Sequence, residues 1–268
     1  MKNKKILALT LATIIASGSV NQMAIQVYAD DDPPMAESSS KVESSPALLV
    51  KKFKMSDSFG KKIGEALNYA DKDNLYRSTS SQLVFEINND KFEVKLVRYY
   101  GTAESVDIPQ RVCIDGQEYN VTSIGEYAFY KRNKLKSVKL PDGIKKIGES
   151  AFQECTNLQL NKLPNNVTEI GKEAFLACIK LQLKVLPASI TKIGESAFCG
   201  CTNLELTELP KDITEISEFS FSQCKNLKLT NLPNNVTKIG NFAFLGCESL
   251  QLEQLPDGVT EIGDCAFK

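Results

Sequence analysis

From Val121 onward the chain repeats every 23 residues. Pro141, Pro164, Pro187, Pro210, Pro233 and Pro256 keep that interval. So do Ile124, Ile147, Ile170, Ile193, Ile216, Ile239 and Ile262, and Phe129, Phe152, Phe175, Phe198, Phe221, Phe244 and Phe267. One copy is too small to bury its own apolar face, so each copy must bury that face against the next, and the product is a solenoid. The repeats predict about seven coils over residues 111–268, with the last one incomplete.

Each coil can be parsed from its residue types. Leu158 and Leu160, like Leu181 and Leu183 or Leu204 and Leu206, alternate as in a strand facing inward, and stacked coils would join these strands into a parallel sheet. The following Pro, with Asn-Asn, Asp-Gly, Ala-Ser or Lys-Asp, makes a turn because its ring presets φ at the first corner. Val167 and Ile170 return to the interior. Gly171 shares a column with Gly125, Gly148, Gly194, Gly240 and Gly263 and is expected to supply a positive φ at the next corner, a rule that Ser217 breaks. Ala174, Phe175 and Cys178 then point inward from about one helical turn, the Phe column being the main apolar contribution at roughly 150–250 Å² per ring.

The same periodicity governs the residues that look chemical. Cys155, Cys178, Cys201, Cys224 and Cys247 form one column, with Arg132 at that place in the first coil. A nucleophile has no use for five copies, whereas a compact buried hydrophobe packing against its own image does. Cys113, Cys199 and Cys265 lie outside the column and suggest no pairing. The residue before each repeat Ile runs Lys146, Glu169, Lys192, Glu215, Lys238, Glu261. On stacked strands such neighbours attract, while like charges repel by up to about 1 kcal/mol, so the alternation favours the correct register. Asn120, Asn166 and Asn235 open Asn-Val-Thr triplets that match a glycosylation acceptor, but these fall in the repeat's own turn.

The units LPNNVTEIGKEAFLACIKL, ASITKIGESAFCGCTNL and NNVTKIGNFAFLGCESL resemble the BspA-like, or treponemal-type, leucine-rich repeat, whose units run LPxxVTxIGxxAFxxCxxL. The match covers Val121 to Lys268, and the stretch from Tyr99 to Phe129 looks like that family's N-terminal lead into the solenoid. The resemblance implies a leucine-rich repeat α/β superhelix of right-handed sense, mainly parallel β with short helical turns. It also implies exported or surface-displayed proteins that bind other proteins, such as host matrix components or neighbouring cells, with no catalytic residues to carry over.

Upstream of the repeats the chain changes character. Lys2, Lys4 and Lys5, an apolar run from Ile6 to Ala16 and small residues before Asp30 describe a secretory leader over residues 1–29, cleaved between Ala29 and Asp30. Residues 30–50 are an Asp, Ser, Pro and Glu-rich spacer of the kind that stays disordered. Residues 51–110 hold a short amphipathic helix from Ser58, with Ile63, Ala66, Leu67 and Ala70 at helical spacing, and a β-hairpin around Asn88-Asn89-Asp90. No later apolar run reaches the roughly 20 residues that span a bilayer, so no transmembrane segment or anchor is expected.

Composition narrows the function. The chain has no histidine, which removes the usual member of Ser/His and Cys/His nucleophile systems and of most zinc sites. Its formal charge of −1 becomes more negative once the leader's three lysines are gone, which argues against a nucleic-acid partner. No enzyme activity, cofactor or metal is expected. The candidate for recognition is the outward row of the Leu-x-Leu strands: Gln159, Gln182, Glu205, Lys228 and Gln251, with Lys184 further along. A merely solvated sheet is the competing reading, because the row lacks the Trp, Tyr or Arg anchors of a tight interface. Phe219 and Phe242, aromatic in an otherwise mixed column, fit either an exposed patch or a local extension of the core. The chain stops inside the seventh coil with Ile262 and Phe267 facing an unfinished neighbour, an edge that invites self-association.

Overall fold

Apolar and polar residues alternate on both sides of Asn89, and the chain folds back there. Strand β2 (Leu83–Asn88) pairs antiparallel with β3 (Glu93–Tyr99) across a 3-10 turn at Asn89–Lys91, and β1 (Leu75–Arg77) lies antiparallel on the far side of β2. The structure, a computed structural model, describes residues 75–78 and 81–268. The expected leader, spacer and amphipathic helix lie outside the described residues.

The hairpin continues directly into the solenoid. Short strand β4 (Ser105–Asp107) leads to β5 (Arg111–Ile114), which turns at Asp115-Gly116 into β6 (Gln117–Ile124). Both turn residues have positive φ, 50° and 82°, the geometry that a tight hairpin turn demands. Strand β6 then pairs parallel with β3, and β7 (Ser137–Lys139) pairs parallel with β4. Above them each coil contributes a two-residue strand: β8 (Lys146–Ile147), β9 (Glu169–Ile170), β10 (Lys192–Ile193), β11 (Glu215–Ile216), β12 (Lys238–Ile239) and β13 (Glu261–Ile262). The described residues thus form a parallel β-solenoid with 23-residue coils and almost no helix.

Three details differ from the sequence reading. First, the regular ladder runs along the Lys/Glu-Ile dipeptides and not along Leu-x-Leu. From the second coil on, the Leu-x-Leu segments are joined chiefly through the middle residue's N–H: Gln182 donates to Leu160 O (3.2 Å), Glu205 to Leu183 O (3.2 Å) and Lys228 to Leu206 O (3.0 Å).

Second, the segment around the Phe is a run of reverse turns and not a helical turn. The N–H groups of Glu173, Phe175 and Ala177 donate forward to Glu195, Ala197 and Cys199 of the next coil, each at 2.8 Å. Between them, Ala174, Leu176 and Cys178 donate back three residues. A helix would consume every N–H internally; here half of them join coils, which is what a solenoid needs.

Third, the positive φ sits two residues after the glycine column, at Tyr127, Ser150, Glu173, Ser196, Phe219, Phe242 and Cys265. Gly171 is required for closeness: a Cβ there would stand 2.7 Å from Glu149 N and Gly148 C.

The core is a column of parallel rings. Phe129, Phe152, Phe175, Phe198, Phe221, Phe244 and Phe267 stack at centroid distances of 4.9–5.7 Å and interplanar angles of 3–15°. Tyr99 closes the column below Phe129, tilted by 36°. At the other end Ile262 and Phe267 remain 54% and 42% exposed.

Candidate functional site

The cysteine column is buried from Cys155 to Cys224, and Cys247 is half-buried; all eight cysteines of the chain are free thiols. Each column thiol donates to a main-chain carbonyl of the preceding coil: Cys155 to Phe129 O, Cys178 to Phe152 O, Cys201 to Phe175 O, Cys224 to Phe198 O and Cys247 to Phe221 O, at 3.0–3.1 Å. Cys is therefore a hydrogen-bonding core residue, which a plain aliphatic could not replace. Arg132 does the same work in the first coil, its Nη2 donating to Tyr99 O at 2.7 Å. Burial pushes Cys155, Cys199 and Cys247 up to about 12 and Cys178, Cys201 and Cys224 well above their ordinary value. Such thiols stay protonated at neutral pH and are poor nucleophiles.

The ladder face is likewise occupied by coil-to-coil contacts. Glu169 lies between Lys146 (2.9 Å) and Lys192 (3.3 Å), and Lys238 meets Glu261 at 3.2 Å. The hydroxyls of Thr168, Thr191, Thr237 and Thr260 donate to carbonyls one coil back. The sequence triplets with Asn166 and Asn235 have a structural use: each amide donates to a carbonyl of the preceding coil, Asp142 O at 2.9 Å and Lys211 O at 3.0 Å.

The Leu-x-Leu side is different. Its leucines are buried from Leu158 to Leu229 and half-buried at Leu250 and Leu252, while Gln159, Gln182, Lys184, Lys228 and Gln251 are exposed and Glu205 is half-buried between Lys184 and Lys228, 3.9 Å from each. The six residues predicted from sequence thus share one surface, with main-chain groups fixed by the solenoid and side chains directed outward. Val185, 56% exposed beside Lys184, adds an apolar element that sequence reasoning missed; a valine in a strand pattern gives no sign of pointing outward. Phe219 and Phe242 stack at 4.7 Å and 8°. Phe219 is only 6% exposed and Phe242 half-buried; the two rings pack on each other outside the main apolar core, and a partner could reach only part of Phe242.

Among the described residues no group of three or more His, Cys, Asp or Glu side chains could hold a metal ion. No helix among them is long and apolar enough to cross a membrane.

Known proteins resemble this arrangement closely. The model of the BspA type leucine rich repeat region matches in six copies, over residues 115–228 and 175–268. Among solved structures the chain is similar to a leucine rich cell surface protein from Faecalibacterium prausnitzii A2-165, with 32% identity and a TM-score of 0.65 over 74% of this chain and 53% of that one. The chain therefore spans about half the length of that relative. It is also similar to the leucine rich repeat protein of T. pallidum, with 26% identity and a TM-score of 0.53 over 65% of this chain and 91% of that one. No curated protein matches the chain.

Proposed function

The chain belongs to the BspA-type leucine-rich repeat family, and from that premise we propose that it is an exported, non-enzymatic binding protein of the bacterial surface. In this reading it acts as an adhesin-like or virulence-associated factor that engages host or neighbouring-cell proteins. Its contact surface is the row Gln159, Gln182, Lys184, Glu205, Lys228 and Gln251, with Val185 beside it.

One observation carries this reading. On the ladder face and in the turns Lys146, Glu169, Lys192 and the threonine and asparagine side chains bind neighbouring coils. In this row Glu205 does so with Lys184 and Lys228 at 3.9 Å, while Gln159, Gln182 and Gln251 present their amides to solvent from a backbone held by the solenoid. Repeat solenoids present extended surfaces of this kind to partners. The similar leucine rich cell surface protein from Faecalibacterium prausnitzii and the leader predicted at residues 1–29 support export. The absence of histidine and the raised pKa of the buried thiols support a role without catalysis.

The test is replacement of Gln159, Gln182, Glu205 and Lys228 together by alanine, followed by surface-plasmon measurements against matrix proteins captured by the parent chain. The expected result is at least tenfold weaker binding with an unchanged melting curve. Unchanged affinity for every captured protein would exclude this surface.

A further inference from the structure

The chain places its two kinds of strong cation very differently. Of its 32 Lys and Arg residues only four are arginine: Arg77, Arg98, Arg111 and Arg132. Arg111 is ion-paired with Glu118 at 2.7 Å. The other three gather where the hairpin meets the first coil.

Strand register brings them together. Arg77 on β1 is paired with Val84 on β2, and Val84 with Arg98 on β3. Directly paired residues project from the same face, so the two arginines flank Val84 about 10 Å apart, two strand spacings. Arg132 enters from the first coil, its Nη2 bonded to Tyr99 O, the carbonyl next in sequence to Arg98. Two guanidinium groups rest over tyrosine rings: Arg77 over Tyr100 at 5.0 Å and Arg132 over Tyr99 at 6.0 Å.

No carboxylate compensates this charge among the described residues. Neighbouring acids are engaged elsewhere, Glu86 with Lys95 and Glu104 with Lys136. The Nε atoms of Arg98 and Arg132 are buried without a hydrogen-bond partner. As whole residues Arg98 and Arg132 are half-buried. Burial, with Arg132 adding to it and Tyr100 opposing it, lowers the Arg98 pKa, the signature of a cation placed where it lacks an anion. Keeping such a group unpaired costs stability, and the ligand that relieves the cost carries negative oxygens.

We propose that Arg77, Arg98 and Arg132, with the 48% exposed ring of Tyr100, form a docking site for an acidic peptide segment of a partner protein. This surface is separate from the Leu-x-Leu row and stands whether or not that row binds. Guanidinium forks match carboxylates in two-bond geometry, which an ammonium group cannot do, and Arg with Tyr is the pairing that dominates tight protein interfaces. Three charges on a chain of formal charge −1 suit a short acidic segment; a nucleic acid or a long sulfated glycan calls for an extended basic stripe.

The test uses the full chain and a fluorescein-labelled Glu-Asp-Glu-Asp-Glu-Glu peptide, followed by anisotropy, with a Gln-Asn peptide of the same length and a heparin hexasaccharide as comparison probes. The acidic peptide should bind and the Gln-Asn peptide should not. R98Q/R132Q should weaken binding at least tenfold, R98K/R132K several-fold because the fork is lost though the charge is kept, and R111Q not at all. Because Arg132 also holds Tyr99 O, R77Q/R98Q provides a second variant that leaves that bond intact, and it should lose at least tenfold as well. The proposal is overturned if the acidic peptide does not bind, if R77Q/R98Q binds it like the parent, if R111Q is as damaging, or if the heparin fragment binds more tightly through the same arginines.

Discussion

Two coils with the same outline are built differently. From Ile170 to Cys178 the chain reads IGKEAFLAC; from Ile216 to Cys224 it reads ISEFSFSQC. In the first, the Gly171 N–H donates to Ile147 O at 2.8 Å and β9 pairs with strands on both sides. In the second, Ser217 places its hydroxyl on Ile193 O at 2.7 Å, the acceptor that a glycine N–H takes elsewhere, and the sheet divides between β10 and β11. The turn side does not divide: Ser196, Phe198 and Gly200 still donate to Glu218, Ser220 and Ser222, and Phe198 still stacks on Phe221 at 5.6 Å. Coils are therefore held along separate seams, and one seam can open while the others hold.

The largest expected effect tests the seam that never opens. Phe175→Ala empties a place between two stacked rings and should cost about 3–5 kcal/mol in urea unfolding. Phe219→Ala removes a ring of equal size, but from a residue held at a φ of 53°, where a bulky side chain is strained. It should cost clearly less. Equal losses would mean that Phe219 belongs to the main stack.

Next comes the glycine column. Gly171→Ser would press a Cβ onto backbone 2.7 Å away and should cost roughly 1–3 kcal/mol as overpacking. It should also open the sheet at β9, read as faster hydrogen exchange at Thr168 and Gly171. Ser217→Gly should do the reverse at Thr214 and Ser217, with stability changed by no more than about 1 kcal/mol. Ser220 offers a third contrast. It stands in a column otherwise filled by alanine, fully buried, and its hydroxyl has no partner, so Ser220→Ala should raise stability by about 1 kcal/mol.

The interval of 23 residues made the solenoid and its core legible, because stacking forces every coil to repeat the same inward residues. Hydrogen-bond direction was not legible. Ala-Phe-x-x-Cys fits a helical turn by spacing, and only the neighbouring coil's carbonyls show that its N–H groups go elsewhere. Glycine carried two meanings in sequence, positive φ or close approach, and the period could not choose between them. The outward row on the Leu-x-Leu side could be read from alternation, since leucines fix which face is buried. The arginine cluster could not, because Arg77 and Arg98 lie before the repeats and meet only through strand register; scarcity of arginine was the one visible sign.

The smallest effects lie in the charge ladder, which is continuous over Lys146, Glu169 and Lys192 and resumes at Lys238 and Glu261 beyond the break. A hydrogen bond from Lys146, with Lys192 adding to it against partial burial, holds the Glu169 carboxyl below its ordinary value. A carboxyl lowered on folding contributes stability that is present above its unfolded pKa, near 4.3, and is lost as pH falls through the folded value. Glu173 runs the other way, because burial raises it; its contribution is favourable at low pH and is lost as pH rises through its folded value. Glu169→Gln should therefore cost no more than about 1 kcal/mol at pH 7, as exposed ion pairs do, and the difference should shrink as pH falls through the folded value of the Glu169 carboxyl. Glu173→Gln should instead stabilise the chain at pH 7 and converge with the parent on acidification. Glu215→Gln, at the open seam, should cost less at pH 7 than Glu169→Gln. If urea midpoints fall equally for Glu169→Gln and Glu215→Gln, the ladder charges act through the overall field and not through paired neighbours, and the register role of their alternation fails.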